Sequence, residues 1–157
     1  MAALAGPAIA APPTSGRTLW DRRLHEYRRL QALDDASNAF GPYSLAKEEY
    51  DLVCLRLGVP DTARWSSESL SEADRKEFHE AGRTMDRKCD VYMDAYYCPA
   101  QDAAIALLLT PAPDLEAALT KIAIIKQHDL HTLTRVPRDC FEVVAEDMAR
   151  LRGRAFA

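Results

Sequence analysis

Apolar residues recur along this chain at intervals of three and four residues, the spacing that places side chains on one face of an α-helix. The longest such stripe contains Phe78, Ala81, Met85, Cys89, Tyr92 and Tyr96. Ser69 with Glu72, or Ser71 with Asp74, can cap the start of this helix. Pro99 either ends the helix or only kinks it, in which case the helix continues towards the next prolines.

Two shorter helices are predicted before the long one. The first begins after Gly16 with Thr18 as its N-cap. Its stripe contains Trp20, Leu24, Tyr27, Leu30 or Gln31, and Asp34, widened by Leu33, Ala36 and Phe40. Residues 41–42, Gly-Pro, break this helix. Ser44 caps the second helix and Gly58 ends it. The apolar side of the second helix contains Leu45, Ala46, Tyr50, Val53, Cys54 and Leu57.

Two further helices are predicted after residue 110. The Thr-Pro-Ala-Pro segment, residues 110–113, cannot continue a helix. The next helix can be capped by Asp114, or by Thr110 with Pro111 at the first helical position. The stripe of that helix contains Leu115, Ala118, Leu119, Ile122, and Ile125 or Lys126. The last helix follows Pro137 and is closed by Gly153. Its stripe contains Phe141, Val144, Ala145, Met148 and Leu151.

These stripes predict an all-α fold: an up-down helical bundle of five or six helices, with one long helix that is kinked if it passes Pro99. The sequence has no strand-like alternation and no hairpin turn signal. Residues 17–153 are expected to form a single helical domain, and residues 1–16 a disordered tail rich in alanine and proline. Residues 61–69 are expected to form a loop that holds Trp65 on the core.

The net charge and the spacing of the cysteines disfavour some classes of protein function. The formal net charge is −4, whereas a protein that neutralises several phosphates is normally basic, so the charge argues against a nucleic-acid partner. The four cysteines have no C-x-x-C spacing, which predicts buried, reduced thiols and no zinc ribbon. No apolar run approaches the roughly 18 residues of a membrane span. We expect a cytoplasmic protein that has no membrane partner and no cofactor.

A His-Asp-x-His cluster follows the helix that begins near residue 115. His128 and His131 would share a face of a helix, with Asp129 beside them. All-helical, metal-dependent phosphohydrolases of the HD type use adjacent His and Asp ligands, and His79 and Asp147 could complete such a set. The interpretation we favour is a helix C-terminus, where histidine interacts favourably with the helix dipole.

Three aspartates step by four residues along the long helix: Asp86, Asp90 and Asp94. Carboxylates at this spacing could line a metal or acid-base site if they faced inward. They flank the apolar stripe, however, and Arg83 and Arg87 lie within one turn of them. The pattern therefore favours a solvated, salt-bridged face.

A basic cluster on the first helix is the candidate partner-binding surface. Arg22, Arg23, Arg28 and Arg29 could contact phosphate or an acidic protein surface. Acidic residues interleave with the arginines, so a salt-bridged exposed face is the simpler interpretation. Tyr97 lies off the apolar stripe and is the tyrosine most expected to be exposed. The candidate partner-binding residues are thus Arg22, Arg23, Arg29 and Tyr97.

Sequence signatures of common enzymes are missing. The chain has no nucleotide-binding glycine loop, no H-E-x-x-H zinc motif and no G-x-S-x-G nucleophile turn. No Glu stands three residues before a His, the spacing used by carboxylate-bridged di-iron bundles. The sequence therefore names no catalytic residue.

Three segments give the chain a resemblance to a group of known sequences. They are Trp20 followed by Tyr27-Arg28-Arg29, residues 108–117 (LLTPAPDLEA) with Lys121, and residues 147–151 (DMARL). In these segments the chain resembles small, uncharacterised, all-helical proteins of alphaproteobacterial genomes, phages and prophages. The resemblance implies an all-helical fold and a mobile-element setting, and it implies no activity or ligand. Residues 61–90 depart from the pattern.

Together these observations predict a non-enzymatic bacterial interaction protein, phage- or prophage-associated, that binds another protein or itself. Two alternatives remain open. One is a metal-dependent hydrolase built around His128, Asp129 and His131. The other is a nucleic-acid-associated regulator that uses the arginine face from Arg22 to Arg29.

Overall fold

The computed structural model describes residues 15–59 and 70–155, and the regular structure in these ranges is entirely helical. The α-helices are α1 (Ser15–Phe40), α2 (Pro42–Leu57), α3 (Glu72–Tyr92), α4 (Cys98–Leu108), α5 (Leu115–Gln127) and α6 (Cys140–Ala155). A π-helical turn, Met93–Tyr97, joins α3 to α4, and a 3-10 turn, Leu130–Thr132, follows α5. The all-α prediction is confirmed. The up-down arrangement of five or six helices stays a prediction.

Some predictions fall on residues that the structure does not describe. These are most of the N-terminal tail, the cap at Ser69 and the placement of Trp65. Among the helices that are described, none is both long and apolar enough to cross a membrane.

The chain divides into two compact units. The terminal unit contains the residues up to His25 and those from Ile105 onward, and the central unit is Glu26–Ala104. Helices α1 and α4 contribute residues to both. In the central unit α2 packs along α3, and in the terminal unit α5 packs on α6. The single domain proposed for residues 17–153 stays a prediction.

Helix α1 buries one face and exposes another that was expected to be buried. Trp20, Tyr27 and Asp34 are buried, as their spacing predicts. Leu33 is 44% exposed and Phe40 is 85% exposed, so the expected widening of the stripe is wrong. At about 100° per residue, both side chains point almost directly away from the Trp20 side. The predicted start is also wrong, because α1 begins at Ser15 and includes Thr18.

The junction between α1 and α2 is a single residue, Gly41. Its N–H donates to the carbonyl oxygen of Ser37 at 2.8 Å. Gly41 is the N-cap of α2 and Pro42 is at the first turn of that helix, so the prediction of Ser44 as the cap is wrong. Proline suits this position because its fixed φ is helical and its missing N–H would have no partner there. Gly58 ends α2 with φ of 66°, which confirms the predicted C-terminus.

The core of the central unit lies between α2 and α3. It contains Ala46, Tyr50, Cys54, Phe78 and Met85. The start of α3 is fixed by Ser71, whose Oγ accepts a hydrogen bond from the Asp74 N–H at 3.2 Å, and this confirms the second of the two predicted caps.

The long helix does not end at Pro99. It passes into α4 and stops at Leu108, shortly before Pro111, as expected for a helix that is not ended by Pro99. The π-helical turn Met93–Tyr97 lies directly before Cys98 and Pro99. A proline removes one hydrogen bond and its ring clashes with the carbonyl four residues earlier, and a wider turn relieves both effects.

In the terminal unit, Asp114 caps α5 as predicted, because its Oδ1 accepts from the Ala117 N–H at 2.9 Å. The predicted inner face of α5 is partly wrong, since Leu115 is 56% exposed and Leu119 is 53% exposed. The residues that are buried instead are Ala117, Ala118, Lys121, Ile124 and Ile125. The face is rotated because Lys121 points inward towards α6.

Helix α6 also differs from its prediction. Phe141 is 56% exposed, whereas Cys140, Val143, Val144 and Asp147 are buried. The helix continues through Gly153 to Ala155, so Gly153 does not close it. All four cysteines are free thiols, but only Cys54 and Cys140 are buried, whereas Cys89 and Cys98 are partly exposed, so the prediction of buried thiols holds for two of the four. Burial raises the pKa of Cys140.

Candidate interaction surface

The arginines predicted to bind a partner lie on the outside of α1. Arg22 and Arg23 are exposed. Arg29 is also exposed, and its guanidinium donates two hydrogen bonds to Glu26, at 3.0 and 2.8 Å. These bonds raise the pKa of Arg29. An exposed ion pair between residues one turn apart contributes little to stability. The partner-binding role of these arginines stays a prediction.

Tyr97 is half-buried, in contrast to its expected exposure. Its hydroxyl accepts a hydrogen bond from the Gln101 amide, and its ring centroid lies 6.4 Å from that of Tyr92. The Tyr92 hydroxyl donates to Asp34 Oδ1 at 2.7 Å in the interior of the central unit. Burial, with a smaller contribution from Asp34, raises the pKa of Tyr92. Tyr97 therefore belongs to the edge of a tyrosine cluster.

The His-Asp-x-His segment lies at the end of α5. His128 is the C-cap of that helix, Asp129 has a left-handed φ of 48°, and His131 is in the 3-10 turn. The His131 ring lies 6.1 Å from the ring of Phe141. Across the described part of the chain, no group of three or more His, Cys, Asp or Glu side chains has the geometry to hold a metal ion.

The three aspartates of the long helix, Asp86, Asp90 and Asp94, are all exposed. The neighbouring arginines reach Glu80: Arg83 at 2.5 Å and Arg87 at 3.7 Å. The prediction of a solvated face holds for these aspartates.

Asp147, nominated as a distant metal ligand, is instead the centre of a buried ion-pair cluster. Lys121 Nζ donates to Asp147 Oδ2 at 2.6 Å, and Arg150 Nη2 donates to Asp147 Oδ1 at 2.6 Å. The backbone N–H of Ala112 donates to the same Oδ1 at 3.1 Å, and Arg150 also donates to the Ala112 carbonyl at 2.5 Å. We name Ala112, Lys121, Asp147 and Arg150 the buried ion-pair cluster.

Burial and charge act against each other in this cluster. Burial alone would raise the pKa of Asp147, but hydrogen bonds from Lys121 and Arg150 hold that pKa below its ordinary value. Burial lowers the pKa of Lys121 although Asp147 opposes the shift. The Lys121 side chain has no exposed surface, and its Nζ lies 5.8 Å from the centroid of the Trp20 ring. The hydrogen bonds of the cluster join residues 110–113 to α5 and α6.

Helix α2 presents apolar side chains on two opposite sides. The inner side, packed on α3, carries Ala46, Tyr50 and Cys54. Leu45, Leu52 and Leu55 project from the opposite side, because a helix turns by about 100° per residue. Their exposed fractions are 61%, 66% and 79%. We name these three residues the outer leucine face.

An ordinary surface helix has one apolar stripe, which it turns to the core. Single exposed leucines are common on protein surfaces, but a contiguous apolar patch marks a site where something binds. Leu52 and Leu55 are contiguous, since they line one shallow depression together with Glu48 and Asp51, and Leu45 lies on the same side of the helix two turns earlier. The outer leucine face is therefore the candidate functional site of the described residues.

Carboxylates border the outer leucine face. Glu48 and Glu49 are exposed beside the leucines, and neither forms an ion pair with another described residue. Asp51 also borders the patch, and its carboxylate accepts from Lys47 Nζ at 2.7 Å. Three carboxylates against one ammonium give this border a negative electrostatic potential.

A second, smaller apolar patch lies on α5 in the terminal unit. It consists of Leu115 and Leu119, which are about half exposed. Only two leucines take part, and each is less exposed than any member of the outer leucine face. The α5 pair therefore provides a matched control for experiments on α2.

The outer leucine face was not predicted from the sequence. Leu45 was expected on the core side of α2, and no role was expected for Leu52 and Leu55. A signal was present, because Leu45, Leu52 and Leu55 are separated by seven and three residues, a second helical stripe opposite the first. Two opposed stripes on one helix indicate that both sides are available for packing.

Comparisons with protein-family models, with curated proteins and with solved structures gave no match to this chain.

Proposed function

We propose that this protein is a non-enzymatic helical interaction protein that binds another protein through the outer leucine face of α2. The observation that carries the proposal is the exposure of Leu45, Leu52 and Leu55, each more than 60%, on a helix whose other side is already packed. An apolar side that the described residues leave uncovered gives the folded chain no stability until a partner buries it.

The energetics support binding at this place. Burying an exposed leucine side chain contributes roughly 1.5–3 kcal/mol at full burial. Three leucines on one side of a helix can thus supply several kcal/mol, the scale of the few residues that dominate a protein–protein interface. The charged residues around them would form the polar rim that such interfaces have.

The setting of the protein belongs to the same proposal. The resemblance of residues 108–117 and 147–151 to small alphaproteobacterial and phage proteins supports a bacterial protein of phage or prophage origin. The pattern of apolar stripes supports an up-down bundle, and we propose a cytoplasmic location with it. The metal-dependent hydrolase around His128 and the nucleic-acid-associated regulator remain alternatives from the sequence. The arrangement of the described residues favours neither of them over protein binding.

Affinity capture from extracts of the producing cell tests the proposal. Three immobilised forms are compared: the unaltered protein, the variant Leu45→Ser/Leu52→Ser/Leu55→Ser, and the control Leu115→Ser/Leu119→Ser. We expect specific proteins to be retained by the unaltered protein and by the control, and to be lost from the α2 variant. Equal retention by all three forms, with the helical circular dichroism of each unchanged, would contradict the proposal.

A further inference from the structure

We infer that the partner of the outer leucine face is a basic amphipathic helix, which carries an apolar stripe flanked by lysine or arginine. This inference rests on the proposed function and adds the chemistry of the partner. Two properties of α2 support it: the spacing of its exposed residues and the sign of the charge around them.

The spacing fits a helix as the occupant. Leu45, Glu48, Leu52 and Leu55 are separated by three, four and three residues, the pattern of the seam along which two helices pack side by side. These spacings define a seven-residue repeat that begins at Leu45. The buried residues Ala46, Tyr50 and Cys54 fall at positions of this repeat that point away from the seam, and they pack in the core formed with α3. Helix α2 is thus partnered on one side and carries a short seam on the other, in which three inner positions are leucine and one is Glu48.

The charges fit a basic occupant. In a seam of this kind, the residues that flank the apolar positions select the charge of the partner. Glu49 and Asp51 occupy flanking positions, and Glu48 lies within the seam itself. Arg56 is the basic residue at a flanking position, and it is paired with Glu77 of α3. Because Lys47 pairs with Asp51, the charge left to meet a partner is that of Glu48 and Glu49.

The same charges disfavour a second copy of this chain. In a parallel pair, Glu48 would lie opposite its own equivalent. In an antiparallel pair centred on the seam, the midpoint lies at residue 50. Glu48 and Glu49 are within two residues of this midpoint, so they would again lie near Glu48 and Glu49 of the second copy. Like charges at such positions are destabilising. An anionic lipid surface is disfavoured for the same reason.

Binding of two designed helical peptides tests the inference. Both carry one leucine stripe with the seam spacing; one has lysine at the flanking positions and the other has glutamate. We expect the full-length protein to bind the lysine peptide at least about tenfold more tightly, as measured by fluorescence anisotropy. The preference should shrink with added salt, which screens exposed charges.

Variants separate the roles of charge and apolar contact. Glu48→Lys/Glu49→Lys should reverse the preference between the two peptides. Leu52→Ser/Leu55→Ser should weaken binding of the lysine peptide by about tenfold or more. Leu115→Ser/Leu119→Ser on α5 should leave binding unchanged. All of these positions are exposed, so the variants are expected to fold, which thermal unfolding would verify.

Several results would overturn the inference. The first two are equal affinity for the two peptides and binding that survives Leu52→Ser/Leu55→Ser. The third is binding of the protein to vesicles of anionic lipid through this face. The fourth is a dimer of the unaltered protein that Leu52→Ser/Leu55→Ser dissociates. If cellular partners are lost from the α2 variant while the two peptides bind equally, the proposed function stands and only the basic helix is wrong. If the α2 variant keeps every cellular partner, the proposed function itself is wrong.

Discussion

At the scale of single residues, Lys121 shows how this chain places a charge in its interior. Taking an ammonium and a carboxylate out of water costs several kcal/mol for each ion, and only close, well-bonded partners offset that cost. Lys121 has such a partner in Asp147 at 2.6 Å, and Asp147 has further donors in Arg150 and the Ala112 N–H. Through Ala112 the cluster also holds the Thr-Pro-Ala-Pro segment, residues 110–113, against α6.

Removing the buried amine should therefore be costly. We expect Lys121→Met to lower the free energy of unfolding by roughly 3 kcal/mol, because Asp147 keeps its buried charge and loses one of its two cationic partners. Lys126→Met, one turn further along α5 at an exposed position, is the control and should change stability by less than about 0.5 kcal/mol. Urea unfolding measures both. A loss for Lys121→Met no larger than that of the control would contradict the structural role of the cluster.

The pH dependence of stability should reveal Asp147. Its folded pKa lies below the ordinary aspartate value of 3.8, so the unfolded chain binds this proton at a higher pH than the folded chain does. The carboxylate consequently contributes stability above about pH 4 and loses that contribution as the pH falls through its folded pKa. The stability difference between the unaltered protein and Asp147→Asn should be largest near neutral pH and shrink on acidification. A difference that does not vary with pH would show that the charge is unimportant.

At the scale of helical elements, the joint between α1 and α2 depends on the absence of a side chain. A Cβ atom added at Gly41 would overlap the carbonyl oxygen of Ser37 and lie 2.8 Å from the Ser37 Oγ. The carbonyl belongs to the last turns of α1 and accepts the Gly41 N–H, so it cannot move without disturbing the helix. The direct passage from α1 into α2 therefore requires glycine.

Replacement of glycine by alanine should have opposite effects at two positions. We expect Gly41→Ala to destabilise the protein by about 1–3 kcal/mol, the cost of forcing atoms apart in a packed joint. Gly153→Ala, inside α6 and with nothing within 4 Å of the added atom, should stabilise it by about 0.5–1 kcal/mol through the higher helix propensity of alanine. Thermal unfolding of the two variants checks this. A neutral or stabilising Gly41→Ala would contradict the close approach.

The sequence predicted the presence of the helices better than the direction of their faces. Ser71, Asp114 and Gly58 were identified because a cap depends on local hydrogen bonds and a backbone angle. The orientation of α5 was predicted with Leu115 and Leu119 inward, because leucine is more apolar than lysine. The structure buries Lys121 instead, and a partner 26 residues away makes this possible. Such a long-range pairing cannot be predicted from the local pattern of apolar residues.

At the scale of the whole molecule, the net charge of −4 and the negative potential at the border of α2 have the same effect on association. Both oppose association of the chain with itself and attract a cationic partner. The exposed leucines alone would favour association with any apolar surface. The oligomeric state in solution reports which of these effects is stronger.

Neutralising the border should release self-association. Sedimentation equilibrium of Glu48→Gln/Glu49→Gln is compared with that of Glu116→Gln/Glu142→Gln, a control that changes the net charge equally, from −4 to −2. We expect the apparent mass to rise with concentration in the first variant more than in the control or the unaltered protein. Identical behaviour of the two variants would mean that the charges beside the leucines have no special role.

The sequence by itself determined that the described chain is helical, that Ser71 and Asp114 cap α3 and α5, and which residues form the stripe of the long helix through Phe78, Met85 and Tyr92. These features depend on neighbours within a few residues, so the pattern of apolar positions contains them. Only the tertiary structure decided that Leu45, Leu52 and Leu55 face away from the core, and that Lys121 and Asp147 meet inside it. Apolar periodicity shows that a side of a helix can be buried, and packing alone decides which of two such sides α3 covers and which stays exposed.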